Sequence, residues 1–278
     1  MERKKTGLTI IELLIVLGII ALLVGLLLPA VSAVKKMAKE TKQKAQFATI
    51  GLALEAFKND YGDYPPSDII VWSSHPYCGS QKLAEALLGW DLLGFHPKSA
   101  WRADGLDAGD GPGTYDPAQT RDINGDGVPD TFDERKGPYL ELANVGAFRL
   151  LDLFGTNVVL LNPNTFVICD VFGAKKISMA NGKIVRAGAP ILYYKADTSG
   201  KTIRTIYRHF DNYGLVITKR MADGREHPLR RSDFFYDYIK NPKITARDWP
   251  YRPDSYILIS AGADGLYGTP DDITNFGN

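Results

Sequence analysis

The 278-residue sequence predicts an α+β fold in which one long N-terminal helix lies along an antiparallel sheet, with a large insertion between them. Three observations predict it. Residues 13–31 form an almost uninterrupted apolar run. Beyond that run, Phe47, Ile50, Leu54 and Phe57 recur at spacings of three and four, the period of one helical face. From Pro190 onward, short segments rich in β-branched and aromatic residues alternate with turn residues, as strands do.

The elements follow in order. Residues 1–7 are a short basic leader ending in Gly7. The run at 13–31 is long enough to cross a bilayer at about 1.5 Å per residue. Arg3, Lys4 and Lys5 ahead of it predict a cytoplasmic N-terminus, with the remainder sent outward. One helix is expected over 8–60, stopping at Asn59-Asp60-Tyr61-Gly62 before Pro65-Pro66. Residues 61–189 form a variable insertion region. There Ser80 is expected to cap a short helix running to Leu93, and 145–153 to form another. Strands are expected at 165–171, 176–179 and 183–186, the last two joined at Asn181-Gly182, a hairpin signal. In the C-terminal region, 190–278, the expected strands are 191–195, 202–208, 214–218 and 256–260. A helix layered on such a sheet is an α+β arrangement.

Composition narrows the function. With 45% hydrophobic and 23% charged residues, the chain has ample length for a core beyond its anchor. Net charge is +1, and the leader carries two positive charges net, leaving −1 on the rest. Outside the leader, cations gather only after the span, at Lys35, Lys36, Lys39, Lys42 and Lys44, so nucleic-acid binding is not expected. Those lysines suit anionic headgroups or acidic neighbours, or else a plainly solvated face. Cys78 and Cys169 are the two cysteines, a possible disulfide in an exported domain, where closing so long a loop contributes about 4 kcal/mol. Spacing alone does not bring them together.

Glu12 is the most informative residue. An ionised carboxylate near the start of a span costs about 2.5–3.5 kcal/mol on insertion scales, so it points to a partner or a pathway. A cleaved secretory signal, with Ala30, Ser32 and Ala33 offering a site, or a simple anchor accounts for the apolar run. Neither explains Gly7 directly before the run, or Glu12 at its spacing. Here the sequence resembles the type IV prepilin family, and within it the major pseudopilins of type II secretion. The resemblance implies a pilin-like fold and a peptidase cut between Gly7 and Leu8 with methylation of Leu8. It makes Glu12 the fifth mature residue and matches Pro29 to the proline of the family's helix. Leu8 departs from the commoner phenylalanine or methionine. In a stack of such helices, Glu12 would face the Leu8 ammonium of a neighbour, and mis-stacked copies would leave it unpaired in low dielectric.

Two acidic loops predict calcium. Asp122, Asn124, Asp126, Val128, Asp130 and Asp133 follow the spacing of a twelve-residue calcium loop, with Asp in place of the usual final Glu. Asp104, Asp107 and Asp110 upstream are candidates for a second ion. A metal-free Asx turn is the plainer alternative. The second loop resembles the C-terminal calcium loop of the major pseudopilins, and matching by spacing implies the Ala261 carbonyl, Asp264, Thr269, Asp271 and Asp272 as ligands.

No catalytic set is visible: the four histidines are scattered, neither cysteine sits in a CxxC, and no serine lies in a nucleophile elbow. The expectation is a non-enzymatic structural subunit of a type II secretion pseudopilus, in the inner membrane with a periplasmic domain. The resemblance implies as partners further copies in a helical homopolymer, minor pseudopilins, the prepilin peptidase, an inner-membrane assembly platform and an ATPase. A type IV pilus subunit and, further off, a membrane-tethered exported hydrolase are the alternatives.

Overall fold

The structure, a computed structural model, describes residues 9–69, 76–105, 114–115, 130–142, 145–158, 160–173, 175–178, 182–218, 220 and 223–277. It is α+β, with a long apolar N-terminal helix and small antiparallel sheets. Two compact units divide the chain, Met1–Lys42 and Gln43–Asn278.

Helix α1 (Ile10–Tyr61) has 52 residues and is about 78 Å long. Its most apolar stretch has a mean hydropathy of 3.1 and, among the described residues, none that is buried, so the helix is long and apolar enough to cross a membrane. It ends where Gly62, at φ 86°, donates its N–H to the Lys58 carbonyl at 2.7 Å, a left-handed closure that glycine adopts without strain.

Helix α2 (Gly79–Leu88) begins earlier than expected and is preceded by Cys78, whose N–H donates to Gln81 Oε1 at 2.8 Å. Ser80 is therefore not the cap. Its N–H and hydroxyl both donate to Asn212 Oδ1 at 2.8 Å, tying the helix start to a distant turn. The helix stops well before Leu93, because Gly89 takes φ 94° and closes on the Glu85 carbonyl. A short helix, α3 (Asp130–Asp133), follows.

The helix expected over 145–153 is instead strand β1 (Gly146–Arg149) followed by α4 (Leu150–Phe154). Pairing with β2 (Phe166–Cys169), from Gly146↔Cys169 to Arg149↔Phe166, outweighs local helix preference. Strands β3 (Lys175–Ser178) and β4 (Ile184–Ala187) pair as the expected hairpin, Ser178 opposite Ile184, with 179–181 outside the described residues.

After β5 (Leu192–Lys195), two expected strands are helical: α5 (Ile203–Ile206) and α6 (Tyr213–Ile217). Their β-branched residues suggested strands, but Thr202 caps α5 by accepting from the Thr205 N–H, while Thr205 Oγ1 accepts from the Thr202 N–H at 2.9 Å. Thr218 Oγ1 donates to the Gly214 carbonyl at 2.6 Å across the end of α6. Helix α7 (Ser232–Ile239), which the sequence reading did not foresee, precedes β6 (Tyr256–Ser260) and β7 (Ile273–Thr274). The main sheet has the order β5-β6-β7 and is antiparallel throughout, Leu192 facing Ile259 and Ser260 facing Ile273.

Side chains alternate across β5 and β6, and both faces are covered. Tyr193, Tyr256 and Leu258 pack with Phe47, Ile50, Leu54 and Phe57 of α1 and with the leucines of α2. Leu192, Tyr194, Ile257 and Ile259 pack the other way, with Leu229, Phe235 and Ile239. The helical stripe read from sequence is thus the seam between α1 and the sheet. Two buried glutamines pin that seam: Gln43 Oε1 accepts from the Val171 N–H, and Gln46 Nε2 donates to the Cys169 carbonyl, both at 3.0 Å. On the outer edge of β5, Asn212 Nδ2 donates to the Tyr193 carbonyl at 2.6 Å and Ser67 Oγ accepts from the Lys195 N–H at 2.9 Å. Gly79 is required beside this edge, since a Cβ there would lie 2.3 Å from the Tyr193 carbonyl oxygen.

Candidate functional site

The N-terminal site begins at Thr9. Its N–H and hydroxyl both donate to Glu12 Oε2, at 2.9 and 2.8 Å, and Thr9 Oγ1 accepts from the Glu12 N–H at 3.3 Å. This is a reciprocal capping box, with Thr9 before the first helical turn and Glu12 in its third position. It satisfies amide groups that the start of a helix otherwise leaves bare. The sequence carried the signal in Thr9-x-x-Glu12, which a reading of Glu12 as a charge alone overlooked. Oε2 makes these bonds, and Oε1 has no hydrogen bond among the described residues. Gly7 and Leu8 lie outside the described residues, and position 29 lies within α1.

The C-terminal loop runs between β6 and β7. Thr269 Oγ1 stands 2.6 Å from Asp271 Oδ1, to which it donates, and 3.5 Å from Asp272 Oδ1. Asp271 Oδ2 accepts from the Asp264 N–H at 2.9 Å, and Asp272 Oδ2 from the Gly268 N–H at 2.7 Å and the Tyr238 hydroxyl at 2.8 Å. Gly262, at φ 62°, leaves room for this crossing, because a Cβ there would sit 2.2 Å from the Asp271 carbonyl oxygen. Burial pushes the Asp272 carboxyl up to about 7, and the neighbouring charge of Asp271 adds to that. Burial also raises Asp271, but hydrogen bonds from Thr269 and from the Asp264 and Ala263 amides outweigh it and hold it below the usual range.

The loop therefore brings together Thr269, Asp271 and Asp272. The other two expected ligands each accept a hydrogen bond within the loop. Asp264 Oδ1 accepts from the Leu266 N–H at 2.8 Å, and the Ala261 carbonyl accepts from the Gly265 N–H at 3.1 Å. Among the described residues, no three His, Cys, Asp or Glu side chains gather as a metal-holding group. The donor chemistry of the Thr269, Asp271 and Asp272 oxygens still suits a hard cation, since a buried carboxylate beside another gains most from a positive charge.

Of the insertion-loop ligands, Asp122, Asn124, Asp126 and Val128 lie outside the described residues, as do Asp107 and Asp110. Asp130 and Asp133 begin and end α3, and Asp104 pairs with Arg102 at 2.8 Å.

The possible disulfide is not formed: Cys78 and Cys169 are free, fully buried thiols. Cys78 is fixed at the start of α2 and Cys169 at the end of β2, each by its own backbone bonds. Burial pushes the Cys78 thiol up to about 12 and raises Cys169 well above its ordinary value, so both stay protonated and unreactive. His75 is outside the described residues. His96 stands 3.7 Å from Glu134, His209 Nε2 meets the Leu229 carbonyl at 2.8 Å, and His227 Nδ1 accepts from the Tyr267 N–H at 3.2 Å. Comparison with protein families, curated proteins and solved structures finds no match to this chain.

Proposed function

We propose that the chain is a structural, non-enzymatic subunit of a type II secretion pseudopilus, with a pilin-like fold, held in the inner membrane by α1 until it is extracted into a helical homopolymer. One observation carries this reading. An exposed apolar helix long enough to cross a membrane starts with a single carboxylate and continues, unbroken, into the core of a folded domain. Cleavage after Gly7 by a prepilin peptidase leaves Leu8 as the new amino terminus and Thr9 as the second residue. Glu12 then serves two purposes. Its Oε2 closes its own helix, while Oε1 is left to meet the ammonium of an adjoining copy, where an unpaired charge is costly. The assembly platform, its ATPase and minor pseudopilins are the partners this reading requires. Calcium, in the same reading, binds at Thr269, Asp271 and Asp272 and ties the short β7 to β6, with the acidic insertion loop as a further candidate.

The test is direct. In cells carrying the peptidase, the mature N-terminus is read by sequencing, and polymer is measured in sheared and pelleted fractions. Glu12→Ala is expected to insert and fold but to polymerise poorly, whereas retention of residues 1–7 or normal polymerisation of Glu12→Ala rejects the reading. For calcium, limited proteolysis with and without chelator is compared between the parent and Asp271→Ala. Equal resistance of the parent in both conditions removes the ion.

A further inference from the structure

Two cavities open along one stripe of α1, and their charges are opposite in character. Lys44, Gly51 and Lys58 are spaced by seven, which keeps them near one line of the helix, with Lys44 and Lys58 about 21 Å apart along its axis. Around Lys44 lies a cavity of about 270 Å³ whose described lining holds two cations, Lys44 and Arg252, and no carboxylate. Around Lys58 lies a cavity of about 510 Å³ bordered by Asp63, Asp68, Asp197, Asp211 and Asp254.

The turn at 252–256 is the wall between them, with Arg252 and Tyr256 on the basic side and Asp254 and Ser255 on the acidic side. Arg252 is held at φ 49°, a conformation uncommon for a residue with a side chain, by bonds from Tyr207 Oη to its carbonyl (2.5 Å) and from its Nε to the Tyr256 carbonyl (2.9 Å). Its guanidinium carbon lies 5.1 Å from the centre of the Tyr256 ring, and Tyr64 packs edge-on against Tyr256 at 5.0 Å. On the acidic side, Lys195 is bound to Asp63, Lys82 to Asp68 and Ser67 to Asp211, while Arg208 exerts its charge on Asp197 and Asp211. Lys58 lies over the Tyr64 ring at 4.3 Å. That leaves the exposed Asp254 with no hydrogen bond or ion pair among the described residues, as is also true of Lys44.

We propose that these two cavities are the two halves of a contact between copies of this chain, in which the basic cavity at Lys44 and Arg252 receives Asp254 of the adjoining copy. The proposal rests on the filament reading above and names a contact for it. The match is heterologous, because the two surfaces differ, and a heterologous contact repeated without closure builds an open fibre. It is also directional. Copies standing side by side at one membrane depth place basic cavity beside basic cavity. Only a copy raised along the helix axis, by a fraction of the Lys44–Lys58 distance, brings its own Lys44 to its neighbour's Asp254. The contact therefore forms on extraction and not in the resting membrane.

The experiment uses the full chain in cells that process and assemble it. Lys44→Glu and Asp254→Lys are each expected to lower polymer yield about tenfold, because like charges then face one another, and the double swap to restore it to within about twofold. Thermal melting of each variant is expected to match the parent, since both side chains are exposed and unpaired. Co-expressed Lys44→Cys and Asp254→Cys chains are expected to form a disulfide-linked dimer on mild oxidation, and to lose it when Glu12→Ala is added to both. Normal polymer without the cross-link, or a swap no better than either single variant, overturns the contact while leaving the filament standing. A cross-link that persists with Glu12→Ala overturns its dependence on extraction. A parent chain that forms no polymer overturns the filament reading itself.

Discussion

One helix, α1, meets two different surroundings along its length, and its residues sort accordingly. In the first half, apolar side chains are exposed all round, from Ile10 at 79% to Val34 at 65%. In the second half, Phe47, Ile50, Leu54 and Phe57 are buried on one side, and lysines and other polar residues take the rest. The backbone is the same and the helix unbroken. The first half has no stripe, which suits a segment apolar enough to cross a membrane, and the second has one because protein covers a single face. Leu52 and Met37 are the exceptions that test the rule: in the second half, they are apolar residues left 74% and 65% exposed.

Substitutions that separate the two halves follow from this, the strongest first. Ile50→Ala or Leu54→Ala removes a fully buried side chain and is expected to cost about 2–5 kcal/mol of domain stability, read by chemical denaturation. Ile19→Ala, by contrast, is expected to leave the domain's midpoint unchanged. An equal loss from both would erase the distinction. Next, Leu17→Arg is expected to oppose membrane insertion by about 2.5–3.5 kcal/mol, measured by the fraction resisting carbonate extraction, with little effect on the domain.

The third test uses pH. Burial raises Glu85 from 4.5 and Asp211 from 3.8, each to about 7, and both belong to the unit that carries the sheet. Between those ordinary values and about 7, the folded state keeps protons that the unfolded state has released. Their contribution to stability is full below the unfolded values and is lost as pH rises through the window. Glu85→Gln and Asp211→Asn are each expected to flatten that slope in denaturation series. Then Thr9→Ala is expected to cost about 1 kcal/mol at the start of α1, seen as faster amide exchange in the first turn, with Thr9→Ser retaining protection. Smallest of all, Leu52→Ala is expected to change domain stability by less than about 0.5 kcal/mol.

What could be read from sequence follows the strength of local signals. The span and the Phe47–Phe57 stripe were legible because each repeats a simple pattern over many residues. The pairing of β3 with β4 was legible because Asn181-Gly182, between them in sequence, is a strong turn-forming pair. The segments at 203–206 and 213–217 were misread because isoleucine, threonine and tyrosine favour strands only when a neighbouring strand is there to pair. The 146–149 segment was misread in the opposite sense, since its partner lies at 166–169. In the C-terminal loop, Thr269, Asp271 and Asp272 are close in sequence and also meet in space. Nothing in the spacing of Cys78 and Cys169 could show that each is held by a different element. The opposed cavities at Lys44 and Asp254 depend on residues some 200 positions apart along the chain.

The outer border of β5 has a bearing on how such a protein can be stored densely without harm. A bare sheet margin invites another chain to add itself as a further strand, the first step toward aggregation and amyloid. Here Asn212 and Ser67 have already taken the Tyr193 carbonyl and the Lys195 amide. In the proposed filament, this border is thus closed to indiscriminate strand addition, and self-association is left to surfaces that can be released again.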